Sequence, residues 1–67
     1  MKLKEFKEMV KNCLNMWESS LANDVAKKVE NDTYAKRLMQ KCNKVSEKYF
    51  LDIHDSFVYL FRHSEIK

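Results

Sequence analysis

The 67-residue chain contains neither glycine nor proline, although these two residues together make up about 12% of an ordinary globular sequence. Glycine supplies the positive φ angles of tight hairpin turns, and proline fixes φ at about −65° in many other turns. A strand-rich fold therefore has few ways to reverse direction in this chain. The composition predicts an all-α fold in which helices are joined by short turns.

Apolar residues recur at steps of three and four along two parts of the chain, which places them on single helix faces. The first series predicts a helix over residues 2–18 and comprises Leu3, Phe6, Val10, Cys13, Leu14, Trp17 and, just beyond that range, Leu21. The second series predicts a long helix over residues 33–63 and comprises Ala35, Leu38, Met39, Cys42, Val45, Tyr49, Ile53, Phe57, Leu60 and Phe61.

Residues that favour helix ends separate these two series. Serine and asparagine between positions 19 and 23 break the first helical frame and predict a short middle helix over residues 21–30. Asn31, Asp32 and Thr33 mark the main turn. The sequence therefore predicts one domain over residues 1–67, built as an antiparallel helical hairpin or as a three-helix arrangement with a short middle helix.

The apolar stripe of the predicted long helix is wider than one partner helix can cover. A chain of this size is also near the limit at which its own core offsets chain entropy. Two interpretations stay open: the flanking residues complete the monomer's core, or they form an interface. We favour the interface, which predicts a homodimer in a helical bundle or contact with a different protein. Its expected residues are Met9, Met16, Trp17, Leu51, Phe57, Val58 and Phe61.

A line of basic residues follows the opposite side of the predicted long helix. It consists of Lys36, Arg37, Lys41, Lys44 and Lys48. Such a row could contact an acidic partner or the phosphates of nucleic acid, but it is also typical of the solvated side of an amphipathic helix. The net charge of +3 is modest for a nucleic-acid binder. We expect Phe50, Phe57 and Phe61 to point to the apolar side, away from the basic line, and Tyr34 and Tyr59 to be more exposed.

The chain has two cysteines and two histidines, which are residue types that bind zinc. Cys13 and Cys42 form no close Cys-x-x-Cys pair, and in a hairpin turning near residue 31 they would lie several helical turns apart. The sequence therefore predicts two buried thiols, with neither a metal site nor a disulfide.

Acid–base chemistry is suggested by Asp52 and Asp55 next to His54. Carboxylates three residues apart on an exposed helix face are mostly solvated, and no long loop is available to build a pocket around them. We therefore expect no enzymatic activity, no catalytic residue, no cofactor and no small-molecule substrate.

The expected cellular location rests on two features that the sequence lacks, a signal peptide and a membrane-spanning stretch. The N-terminal residues lack the unbroken apolar stretch of a signal peptide, and the apolar stretch over residues 49–61 is shorter than the ~20 residues that span a bilayer. We expect a cytoplasmic protein with no membrane insertion. Its predicted function is that of a small regulator or adaptor that binds a protein partner through helix faces, as an inhibitor, antagonist or co-chaperone does. The alternative is a nucleic-acid-associated regulator that uses the basic line.

Overall fold

The computed structural model describes residues 1–63. It contains four helices, α1 (Leu3–Leu14), α2 (Ser20–Lys28), α3 (Asp32–Tyr49) and α4 (Ile53–Arg62). No β-strand occurs over these 63 residues, so the predicted all-α fold is confirmed. The hairpin and three-helix arrangements are both wrong, because the C-terminal half of the chain forms two helices.

The four helices share one apolar core, and α1 packs against each of the other three. Phe6 and Val10 on α1 are fully buried, and so are Val29 after α2 and Cys42 on α3. The other core residues are Cys13, Leu14, Ala22, Val25, Ala35, Leu38, Phe57, Leu60 and Phe61. Among residues 1–63, no helix is both long enough and apolar enough to cross a lipid bilayer.

Three helices begin at a side chain that accepts a hydrogen bond from the first helical turn. Ser19 Oγ accepts from the amide of Ala22 at 3.1 Å, and the side chain of Asn31 accepts from the amide of Tyr34 at 3.1 Å. At the start of α4, Asp52 Oδ1 accepts from the amide of Asp55 at 2.7 Å. Because such caps satisfy backbone amides that have no partner inside the helix, each contributes about 1 kcal/mol.

The predicted helix over residues 33–63 is interrupted at residues 50–52. Phe50 adopts a left-handed backbone conformation, with φ 57° and ψ 43°. Ser46 holds the turn with two groups: its carbonyl accepts from the Leu51 amide at 3.2 Å, and its hydroxyl donates to the Leu51 carbonyl. Asp52 then starts α4, which packs against both α3 and α1.

Phe50 is an unusual residue for this corner. A left-handed conformation costs roughly 1–2 kcal/mol for a residue with a Cβ atom, and glycine avoids that cost. The phenyl ring is 94% exposed, so it gains almost no burial in return. The packing of the chain itself therefore does not explain a phenylalanine at position 50.

The first helix is shorter than the predicted range of 2–18. It ends at Leu14, and the amides of Met16 and Trp17 then donate to the carbonyls of Cys13 and Leu14 in tight turns. Trp17 therefore lies in the α1–α2 connection, where its ring centroid is 4.8 Å from that of Phe61.

Two ion pairs join α1 to the α2–α3 turn and to the first residue of α3. Lys7 pairs with Asp32, and Lys11 pairs with Glu30. Hydrogen bonds from these lysines lower the pKa of both carboxyl groups below their ordinary values. Because both carboxylates are exposed, water and salt screen the pairs, and they add little to the stability of the fold.

Candidate binding groove between α1 and α4

Two adjoining clefts, of about 440 and 360 Å³, lie between α1 and α4. Both clefts are lined by Cys13, Met16 and His54. The first continues along Glu5, Glu8, Met9 and Asn12, and the second along Trp17, Val58 and Arg62. We call the combined surface the α1–α4 groove.

Residue spacing on the two helices explains how the groove forms. Met9, Cys13 and Met16 follow one another at steps of four and three, so they lie along one side of α1 and its C-terminal turn. His54, Val58 and Arg62 follow at steps of four along the facing side of α4. The groove is therefore bounded by one row of side chains from each helix.

The groove has an apolar middle and charged ends. Glu5 and Glu8 line one end, and neither forms an ion pair with any residue in the range 1–63. Arg62 lines the other end, where its guanidinium carbon is 5.8 Å from the centroid of the Trp17 ring. The two ends therefore carry opposite charges.

The seven predicted interface residues lie in three different places. Met9, Met16, Trp17 and Val58 line the α1–α4 groove. Leu51 is half-buried in the corner between α3 and α4 and lies outside the groove.

Phe57 and Phe61 correct the prediction, because they are only 1% and 6% exposed and belong to the core. They are covered because the break at Phe50 lets α4 fold against α1 and α3. An outward-facing role for these two rings is incompatible with this packing.

Several groove residues were not among those predicted for an interface: Glu5, Glu8, Asn12, Cys13, His54 and Arg62. Helical spacing contains a usable signal for the last two, since His54 and Arg62 lie four residues on either side of Val58. Cys13 forms part of the groove floor, where burial raises the pKa of its thiol. The thiol is therefore neutral at pH 7, which does not suit it to act as a free nucleophile.

The residues of the basic line all lie on α3. Lys44 and Lys48 line a cleft of about 140 Å³ together with Val45, Tyr49 and Tyr59. The ammonium group of Lys48 is 5.3 Å from the Tyr49 ring centroid, and the hydroxyls of the two tyrosines are 3.3 Å apart. We call this area the Lys–Tyr surface.

The Lys–Tyr surface brings two tyrosine rings beside the basic line, whereas Phe57 and Phe61 lie in the core. Tyr59 reaches it because α4 packs against the C-terminal half of α3. Lys41 lines a neighbouring cleft with Lys44. Lys36 and Arg37 are exposed nearer the start of α3 and line neither cleft.

The exposed cluster of Asp52, His54 and Asp55 has its potential ligand atoms within 4.8 Å of one another. Helix capping explains why these side chains lie close together, because Asp52 caps α4 by accepting a hydrogen bond from the Asp55 amide at 2.7 Å. His54 Nδ1 is 3.5 Å from the Asp55 carboxylate. The cluster is open to water and lines no enclosed pocket, so it offers no enclosed site for acid–base chemistry.

No protein-family model, curated protein or solved structure matches the chain.

Proposed function

We propose that the protein is a non-catalytic adaptor or regulator that binds an amphipathic helix of a partner protein in the α1–α4 groove. The observation that supports this function is the combination of an apolar middle and oppositely charged ends in one groove. The α1 side extends over roughly 15 Å, which corresponds to about three turns of a docked helix. Inhibitors, antagonists and co-chaperones can all work by such occlusion.

The residues of the groove define the chemistry of the partner. Met9 and Met16 have flexible thioether side chains that adapt to irregular apolar surfaces, and Val58 and Trp17 extend the apolar area. A partner helix would contact them with apolar residues at positions i, i+4 and i+7. Its basic residues would lie beside Glu5 and Glu8, and its acidic residues would lie beside Arg62.

A designed peptide tests this proposal. We expect a 15-residue amphipathic helix, with leucines at i, i+4 and i+7, lysines at one end and glutamates at the other, to change the fluorescence of Trp17, the chain's one tryptophan. A Val58→Glu substitution should weaken binding at least about tenfold, because it places a charge in the apolar middle. The matched control is Val45→Glu, which alters another half-buried valine outside the groove.

Two results would contradict the proposal. One is equal binding of a peptide that has the same composition but no apolar stripe. The other is an equal loss of affinity in the Val58 and Val45 variants, provided that circular dichroism shows both to be folded.

A second copy of the chain is the competing occupant, as in the homodimer that the sequence favours. With Phe57 and Phe61 in the core, the residues predicted for such a dimer that remain accessible are Met9, Met16, Trp17, Leu51 and Val58. Light scattering over a concentration series decides between the occupants. A dimer that Val58→Glu dissociates would assign the groove to self-association and would overturn the heteromeric proposal.

We also propose that the protein acts in the cytoplasm. Cys13 and Cys42 are free cysteines, and cytosolic glutathione and thioredoxin keep such thiols reduced. The thiol of Cys13 would then stay available as part of the groove floor.

A nucleic-acid-associated regulator is the second candidate function, and the Lys–Tyr surface favours it. Base rings stack on aromatic side chains, while neighbouring lysines contact the phosphates. Tyr49 and Tyr59 line the same cleft as Lys44 and Lys48, and their ring centroids are 5.0 Å apart. A single strand would therefore suit this surface better than a duplex.

Salt dependence tests this second function. In anisotropy titrations with a fluorescent single-stranded RNA, Lys44→Ala and Lys48→Ala should each reduce the slope of log K against log salt by roughly 0.7. Lys28→Ala, which removes an exposed lysine of α2, is the control and should leave the slope unchanged. Equal effects of all three substitutions would indicate attraction by net charge alone and would contradict a defined site.

A further inference from the structure

Four side chains with sulfur or imidazole donor atoms line the α1–α4 groove: Met9, Cys13, Met16 and His54. They comprise two of the chain's four methionines, one of its two cysteines and one of its two histidines. Three of them, Cys13, Met16 and His54, line both clefts and so lie at the boundary that the clefts share. The fold therefore gathers these donors from α1 and α4 into one place.

The position of each donor suits it to coordination. Met9 and Cys13 are four residues apart on α1, a spacing that puts their Cβ atoms about 5–6 Å apart. Cys13 is 6% exposed and lies at the groove floor, whereas Met16 is 85% exposed. Met16 is therefore free to swing over the groove, because little packing restrains its unbranched side chain.

His54 approaches from the first turn of α4. Its Nδ1 atom is 3.5 Å from the Asp55 carboxylate. A histidine whose Nδ1 faces a carboxylate presents Nε2 as the metal-binding atom, and this pairing is common around metal sites.

We propose that these residues bind a soft monovalent cation, Cu(I), through the Cys13 thiolate, the His54 imidazole and the thioether sulfurs of Met9 and Met16. Thiolate and thioether donors select Cu(I), whereas thioethers do not suit Mg²⁺ or Ca²⁺, which prefer oxygen ligands. The Cys13 Sγ–H bond breaks, an Sγ–Cu bond forms, and one proton is released to water. Copper keeps its oxidation state, so the step needs no oxidant or reductant.

Negative charges beside the four donor residues favour a bound cation. Glu5 and Glu8 line the same cleft and carry negative charges that no described residue pairs. The proposed metal site does not depend on the proposed partner helix, because the protein without a partner should bind the metal.

A Cu(I) titration of the full chain against bathocuproine disulfonate, without oxygen, tests the proposal. We expect one Cu(I) ion per chain and a loss of affinity of at least about 100-fold in Cys13→Ala. Cys42→Ala is the matched control, because it removes the other buried thiol, which lines neither cleft of the groove. Its affinity for Cu(I) should equal that of the unaltered chain.

Methionine variants provide a second measurement that does not depend on Cys13. Met9→Leu with Met16→Leu keeps the side-chain volume but removes both thioethers, and it should weaken Cu(I) binding at least about tenfold. Met39→Leu, on α3, should have no effect. In NMR spectra with Ag(I), a soft cation that does not change oxidation state, the methyl signals of Met9 and Met16 should shift while that of Met39 stays in place.

Three results would overturn the site. The first is equal loss of Cu(I) affinity in Cys13→Ala and Cys42→Ala, which would mean unspecific thiol binding. The second is an unchanged affinity in the double methionine variant, and the third is unchanged methyl signals with Ag(I). If Cys13→Ala unfolds, the double methionine variant and the NMR spectra still decide the question.

Discussion

Replacing Phe57 with alanine should lower the free energy of unfolding by about 3–5 kcal/mol. The side chain is 1% exposed and lies among the largest fully buried residues of the core. The whole chain, at 0.05–0.15 kcal/mol per residue, has a stability of roughly 3–10 kcal/mol. Phe57→Ala should therefore remove roughly half of the stability at the middle of that range and move the urea midpoint of unfolding to a much lower concentration, which urea titration followed by circular dichroism would measure.

Phe50→Ala is the matched control, because it makes the same chemical change at a side chain that is 94% exposed. We expect it to change the stability by no more than about 0.5 kcal/mol. A Phe57→Ala protein that keeps its stability but loses a dimeric mass would instead support the interface role that the sequence suggested for this residue.

Alkaline pH should destabilise the fold through Cys42. Burial raises the pKa of this fully enclosed thiol from its ordinary value of 9.0 to about 12. Between these two values the unfolded chain has lost the thiol proton while the folded chain keeps it, so stability decreases as the pH rises. The decrease is about 1.4 kcal/mol per pH unit, which gives a loss of about 3 kcal/mol at pH 11.

Cys42→Ala isolates this contribution. Burial also raises the pKa values of Cys13 and Tyr34. Both residues are present in the unaltered chain and in Cys42→Ala, so their effects on stability cancel when the two are compared. Urea titrations at pH 7 to 11 should show a steeper loss of stability in the unaltered chain than in Cys42→Ala. Parallel pH profiles would show that the Cys42 thiol ionises without unfolding.

The sequence was sufficient for the features that depend on local signals. Helical spacing and the absence of glycine and proline predicted the all-α fold, and Asn31 marked the start of α3 because its side chain caps that helix. The break at Phe50 was missed for two reasons. The four-residue spacing of Tyr49, Ile53 and Phe57 continues across it, and phenylalanine is not a usual residue for a left-handed turn. The usable signal was Asp52, which caps α4.

The α1–α4 groove was only partly predictable, because it depends on how α4 packs after the break at Phe50. Periodicity grouped Met9 with Met16 because both lie on one helix face. It could not show which side of a wide apolar stripe on α4 turns inward, since that depends on how α4 packs after the break. For the same reason the nearness of Cys13 and His54, which are far apart in sequence, followed only from the folded chain.

The corner at Phe50 has a consequence for protein engineering. A library randomised at position 50 and selected only for resistance to heat should become enriched in glycine and asparagine, which accept the left-handed conformation. The same selection would remove the most exposed large apolar side chain among residues 1–63. Optimising this chain for thermostability would therefore change its surface as well as its backbone, so any stabilised version needs a separate assay of what that surface contacts.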